Sequence, residues 1–114
     1  METVNLSHIR ETTLGDEEFL TELIDIYLED APSQLELLRD AVARADSAAA
    51  SSVAHRLKGS SSNLGAESLS ALCNQLERAG KQSHVDEVGR IVPQLEAEFD
   101  RVRACLVELR DGSR

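Results

Sequence analysis

The sequence predicts an all-α fold, an up-down-up-down antiparallel four-helix bundle preceded by a short N-terminal helical segment. Three observations predict it. Helix formers dominate the chain, with two prolines and six glycines among 114 residues. Apolar residues recur every three or four positions along four segments. The breaks between those segments are only a few residues long, which makes successive helices antiparallel neighbours. A chain of this length buries one core, so residues 1–114 are expected to form a single domain.

Asn5 to Thr13 has the makings of a short helix with Leu6 and Ile9 on one side. The acidic run Gly15-Asp16-Glu17-Glu18 suits the start of the next helix, where carboxylates meet unpaired backbone N–H groups. From there Leu20, Leu23, Ile24, Tyr27, Ala31, Leu35, Leu38, Val42 and Ala45 keep helical spacing, so residues 17–45 are expected to be helical. Pro32 lies inside that run and removes a backbone donor, which predicts either a kink or two abutting helices. Asp46-Ser47 supplies a cap for a helix over 47–63, with Gly65 as its left-handed terminator. The next helix, over 66–79, carries Leu69, Leu72, Cys73 and Leu76 on one face, and Gly80 is placed to stop it. In the last helix, over 84–110, Val85, Val88, Val92, Leu95, Phe99, Val102, Leu106 and Leu109 alternate spacings of three and four, the pattern of a bundle seam. Pro93 sits off that seam, and Gly89 eases its clash.

Composition excludes several classes of function. Twelve Lys and Arg against 21 Asp and Glu give a net charge of −9, which repels polyanions and argues against nucleic-acid binding. No apolar run approaches the ~20 residues that span a bilayer, and no signal sequence opens the chain, so a soluble cytoplasmic protein without a membrane role is expected. Cys73 and Cys105 form no CxxC pair and read as small core residues in a reducing compartment. His8, His55 and His84 are far apart and none belongs to a Glu-x-x-His pair, so no metal site is expected.

The informative residue is His55. At ~100° per residue, Ala50, Val53, Ala54, Leu57, Ser61 and Leu64 cluster within roughly 60° of a line through Leu57, and His55 falls about 160° away. Its imidazole should therefore face water. Lys58 is three residues on, within reach of any negative charge the ring acquires. Gly59 occupies the same exposed face, where it costs ~1 kcal/mol of helix propensity relative to Ala, and access by a partner's backbone is the natural compensation. Ser60, Ser61 and Ser62 keep the surroundings small, and close packing explains them equally well.

The stretch Ala54-His55-Arg56-Leu57-Lys58-Gly59-Ser60-Ser61-Ser62-Asn63-Leu64-Gly65-Ala66 resembles the signature of the histidine-containing phosphotransfer (HPt) family. Phe19 to Leu38, with its Leu-Glu-Asp-Ala-Pro turn at 28–32, resembles the family's preceding helix, and Leu69 to Leu76 and Leu95 to Val102 resemble the two that follow. The resemblance implies that His55 accepts a phosphoryl group from the aspartyl phosphate of a receiver domain and transfers it to another receiver. It also implies that Lys58 stabilises the phosphate and that Gly59 keeps the site open. In several members a Gln on the next helix, 22 residues after the histidine, hydrogen-bonds the imidazole or the phosphate, but here that position is Glu77. A carboxylate there repels phosphate, accepts a hydrogen bond from the ring, or turns out into solvent.

No phosphate-binding Gly-rich loop exists, so a phosphocarrier without its own ATP-binding or kinase site is expected. No cofactor is expected on this chain, with Mg²⁺ only on the partner receiver. The expected partners are response-regulator receiver domains and a hybrid histidine kinase, met by a monomer. The stripe from Phe19 to Leu28 is wider than one seam requires, so the partner surface is expected to combine Ser51, Arg56 and Ser62 with Ile24 or Leu28. Two alternatives stand beside this reading: the phosphorylated domain of a chemotaxis-type histidine kinase system, and a helical adaptor that is not phosphorylated. Met1 and the complete bundle favour a stand-alone protein over the first, and His55 together with Lys58 argues against the second.

Overall fold

The structure, a computed structural model, describes residues 3–112. Five helices occupy it: α1 (Leu6–Thr13), α2 (Glu17–Ala43), α3 (Ser47–Asn63), α4 (Glu67–Lys81) and α5 (Val85–Gly112). The four long helices form the expected up-and-down bundle, with α3 packed most extensively on α4 and α1 laid against α2 and α3. A 27-residue helix such as α2 rises about 40 Å, which accounts for the 43 Å long axis of the molecule.

The caps follow from side-chain chemistry. The Asp16 carboxylate accepts from the backbone N–H groups of Glu18 and Phe19, and Asp46 from that of Ala49, so α2 and α3 each begin with donors satisfied. At the end of α3, Gly65 adopts φ +70° while Gly65 N–H and Ala66 N–H bond back to Ser62 O and Ser61 O. This paired closure satisfies the last carbonyls. Gly65 has a second reason to be glycine, since a Cβ there would stand 2.8 Å from Asn5 O, where the chain before α1 crosses. The Asn5 N–H donates to Gly65 O at 2.8 Å and its side chain donates to Glu67, tying the N-terminal segment to the α3–α4 turn.

Of the boundaries that differ from expectation, two do so for one reason. Helix α2 ends at Ala43 because Ala45 takes φ +55°, with its N–H and that of Asp46 closing on Val42 O and Ala41 O. Helix α4 runs past Gly80 to Lys81 because Ser83, at φ +59°, is the left-handed residue that ends it. Both closures use a residue that carries a Cβ, so no glycine announced them. Gly80 instead serves contact between helices. A Cβ there would lie 2.7 Å from Ser47 O and 2.8 Å from the Ser51 Cβ, so its bare backbone lets α4 approach the first turns of α3. Pro32 and Pro93 both sit inside unbroken helices, on exposed faces where water can bond the carbonyl that each proline leaves without a donor.

The core is the expected seam. Ile24, Leu38, Leu57, Leu69, Leu76, Leu95, Val102 and Leu106 are fully buried, each contributing about 1.5–3 kcal/mol of apolar transfer. Val85, the first expected seam position, is exposed at the start of α5, and Leu109 at the other end is half-buried. Ser61 belongs to the core through a buried 2.9 Å hydrogen bond with the Tyr27 hydroxyl. Burial pushes that phenol up to about 12, the Ser61 bond partly opposing, so it stays protonated. Packing therefore accounts for the middle serine of the run.

Candidate functional site

The expected surface histidine is on the surface. The His55 side chain is 66% exposed, on the flank of α3 that faces α4. What holds it is Glu77. From α4 the Glu77 carboxylate, 7% exposed, places Oε2 3.0 Å from His55 Nδ1 and accepts a 2.7 Å bond from Lys58 Nζ on Oε1. Lys81, one turn further along α4, approaches the same Oε2 at 3.1 Å. The Asn74 side-chain oxygen lies 3.4 Å from Lys58 Nζ. Three side chains from two helices thus converge on one buried carboxylate, and Asn74 backs one of them. Their geometry depends on the close α3–α4 approach, which Gly80 permits and which the Ser51 hydroxyl reinforces by donating to Glu77 O at 2.9 Å.

The charge state of Glu77 fixes the tautomer of the ring. The Lys58 hydrogen bond, reinforced by Lys81 and His55, lowers its carboxyl from 4.5 to about 2 against the opposing effect of burial. At neutral pH the carboxylate is ionised and can only accept. His55 must therefore carry its proton on Nδ1, which leaves the Nε2 lone pair free on the outward side of the ring. The ammonium of Lys58 is held close by through the other carboxylate oxygen. A nucleophile with its lone pair in solvent and a cation nearby is suited to attack on an electrophilic phosphorus.

The same pairing predicts an acid sensitivity. Glu77 is protonated at higher pH in the unfolded chain than in the fold, so between pH 4.5 and about 2 only the unfolded chain binds its proton. Stability contributed by Glu77 is therefore complete above that window and lost as pH falls through it. Denaturant unfolding of Glu77→Gln should accordingly lose less stability than wild type across this range. Equal losses would show that the lysines do not hold the carboxylate.

The other expected site residues divide into exposed and buried. Gly59 stands on the open face, and a Cβ there would meet nothing within 4 Å. Arg56 and Ser62 are exposed, with Ser62 Oγ 2.6 Å from Ser70 Oγ, and Leu28 is half-buried against the core. Ser51 and Ile24 do not belong to a partner surface: Ser51 is 6% exposed and Ile24 fully buried. Ser51 lies about 120° from the centre of the apolar stripe, yet α4 comes close enough on that side to cover it. Ile24 lies under the stripe on α2, not at its edge.

For Glu77 the sequence left three outcomes open, of which the structure shows the hydrogen bond to the ring, and Lys81 was not singled out. Their spacing is that of an i, i+4 ion pair and was readable. Their meeting with His55 depends on the packing of two helices and was not. Among the described residues no group of three or more His, Cys, Asp and Glu side chains is arranged to hold a metal ion, and no helix is long and apolar enough to cross a membrane.

The model of the Hpt domain family matches residues 22–105, a span that includes His55, Lys58, Gly59 and Glu77. The chain belongs to that family. This Hpt domain is 27% identical over 96 residues to phosphorelay intermediate protein rdeA of Dictyostelium discoideum, covering 84% of this chain and 38% of that protein. The chain thus spans well under half of that curated relative. The crystal structure of histidine-containing phosphotransfer protein B (HptB) from Pseudomonas aeruginosa PAO1 is similar over 98% of this chain and 97% of its own, with a TM-score of 0.93 and 27% identity. Family membership makes this chain a histidine phosphotransfer domain.

Proposed function

We propose that this Hpt domain is a phosphorelay intermediate whose His55 takes a phosphoryl group from the aspartyl phosphate of one receiver domain and gives it to another. The observation that carries the reading is the hydrogen bond between His55 Nδ1 and the buried Glu77, which leaves Nε2 free, with Lys58 held on the other oxygen of the same carboxylate. Attack by Nε2 is in line with the leaving carboxylate of the receiver's aspartate, and Lys58 turns from Glu77 to the incoming phosphoryl oxygens. The open face at Gly59 admits the partner's backbone, and Arg56, Ser62 and Leu28 border the contact.

The proposal extends to context. Mg²⁺ is carried by the receiver, and this chain uses no cofactor and no ATP site of its own. It acts as a cytoplasmic monomer on response-regulator receivers, with a hybrid histidine kinase upstream. The test is to offer the purified protein to each phosphorylated receiver of its host and follow acid-labile label with time. Rapid label from at least one receiver is expected. Failure with all of them, under conditions where those receivers exchange label with another Hpt domain, would overturn the reading.

A further inference from the structure

We propose that Glu77 keeps the Nδ1 proton on the imidazole after Nε2 has taken the phosphoryl group, so that phospho-His55 is held in the form that readily gives the group away. The inference rests on the reading of His55 as the phosphoacceptor and assigns to Glu77 a positioning role within it.

The step balances without moving a proton. The Nε2 lone pair forms the N–P bond while the acyl P–O bond breaks, its electron pair leaving on the receiver's aspartate. The ring began with a proton on Nδ1 and still has it, so the product is a phosphoimidazolium. In return transfer the N–P electron pair goes back to Nε2, and the leaving group is a neutral imidazole. If the Nδ1 proton escapes to water first, the leaving group is instead an imidazolate anion, a far poorer one. An imidazolium in water gives up its proton near pH 6.5, so at neutral pH the partner of Nδ1 decides which form persists.

Glu77 is a partner that can only accept. An ionised carboxylate, buried and 3.0 Å from Nδ1, has no hydrogen to offer a deprotonated ring nitrogen, and loss of the ring proton would set two lone pairs against each other. A glutamine in its place can turn its amide and serve either form of the ring.

Charge gives the same sign. The groups around Nδ1 are Lys58 from α3 and Glu77 and Lys81 from α4, with Asn74 neutral and the Cys73 thiol kept neutral by burial. Two lysines and one carboxylate leave the site with one positive charge. A phosphoryl group of about −2 turns that to one negative charge, and a retained ring proton restores neutrality. With glutamine at 77 the phosphorylated site is neutral once the ring has lost its proton, so retention is no longer favoured. The carboxylate also competes with the phosphoryl group for both lysines, which favours departure of the group.

The test loads ¹⁵N-histidine-labelled protein with phosphoramidate and follows the ring nitrogens of phospho-His55 against pH. In wild type the ring should hold its Nδ1 proton to a pH at least about one unit above that of Glu77→Gln, a tenfold difference in proton affinity. Coincident midpoints overturn the proposal. If the variant does not fold, the urea-unfolded wild-type phosphoprotein supplies the reference, and a folded midpoint no higher than the unfolded one overturns it equally. Transfer to a receiver gives an independent readout. The wild-type rate should stay level from about pH 6 to 8, whereas the Glu77→Gln rate should fall about tenfold per unit above its own midpoint. A purely structural role for Glu77 would lower the rate equally at every pH, and that result also overturns the proposal. The parent reading fails separately, if His55 takes no phosphoryl group from any receiver.

Discussion

Replacing His55 by glutamine is expected to leave a folded bundle that takes up no acid-labile phosphate from a phosphorylated receiver. The fold should tolerate the change because the side chain is 66% exposed, and surface substitutions usually stay within about ±0.5 kcal/mol. The glutamine amide can also donate to Glu77, which keeps its two lysines. Neither remaining histidine can take over. His84 is exposed and its Nδ1 lies 3.3 Å from Glu87, but that carboxylate is itself 47% exposed, so water competes for the bond and the ring is not held. His8 borders a surface depression with Lys58, Ser62 and Ser70, yet no carboxylate holds its ring among the described residues. The measurement is label retained after base treatment and lost in acid, taken on wild type, His55→Gln and His8→Gln. Acid-labile label on His55→Gln would show that the buried carboxylate does not select the nucleophile.

Substitutions at Gly59 are expected to separate stability from activity. Gly59→Ala should stabilise the bundle by about 0.5–1 kcal/mol, because alanine is the better helix former and restricts the unfolded chain. The structure removes the usual objection, since the new methyl would meet nothing within 4 Å. Gly59→Gln and Gly59→Glu should fold for the same reason. Their longer side chains would nevertheless stand one turn from His55 on the face where a receiver must dock, and a displacement of ~1 Å at the reacting atoms can cost about 100-fold in rate. Glutamate should be the worse of the two, since it adds a negative charge where a phosphoryl group arrives. Thermal unfolding measured beside single-turnover transfer will show whether the quantities diverge. Unchanged transfer in folded Gln and Glu variants would mean that the open position serves no partner.

The candidate site was legible as far as one helix reaches. The period of α3 places Leu57 inward and His55 outward, and it sets Lys58 and Gly59 beside the histidine without reference to any other part of the chain. The same wheel failed at Ser51, because burial on that flank depends on how closely α4 approaches, and the closeness comes from a glycine nearly thirty residues away. It also failed at Gly80. A glycine near the end of a helical pattern signals a stop, and only the packed structure shows Ser83 closing the helix while Gly80 gives way to Ser47 and Ser51.

By itself the sequence determined the four-helix architecture, the seam along α5 and the exposed histidine with its lysine. These are properties of periodicity, which is local and repeats every few residues. Only the tertiary structure decided what Glu77 does. Of the three outcomes open to that carboxylate, it takes the inward one, because Lys58 from α3 and Lys81 from α4 meet it there and offset the cost of burying its charge. Such a meeting depends on the distance and rotation between two helices, which no pattern within either one encodes.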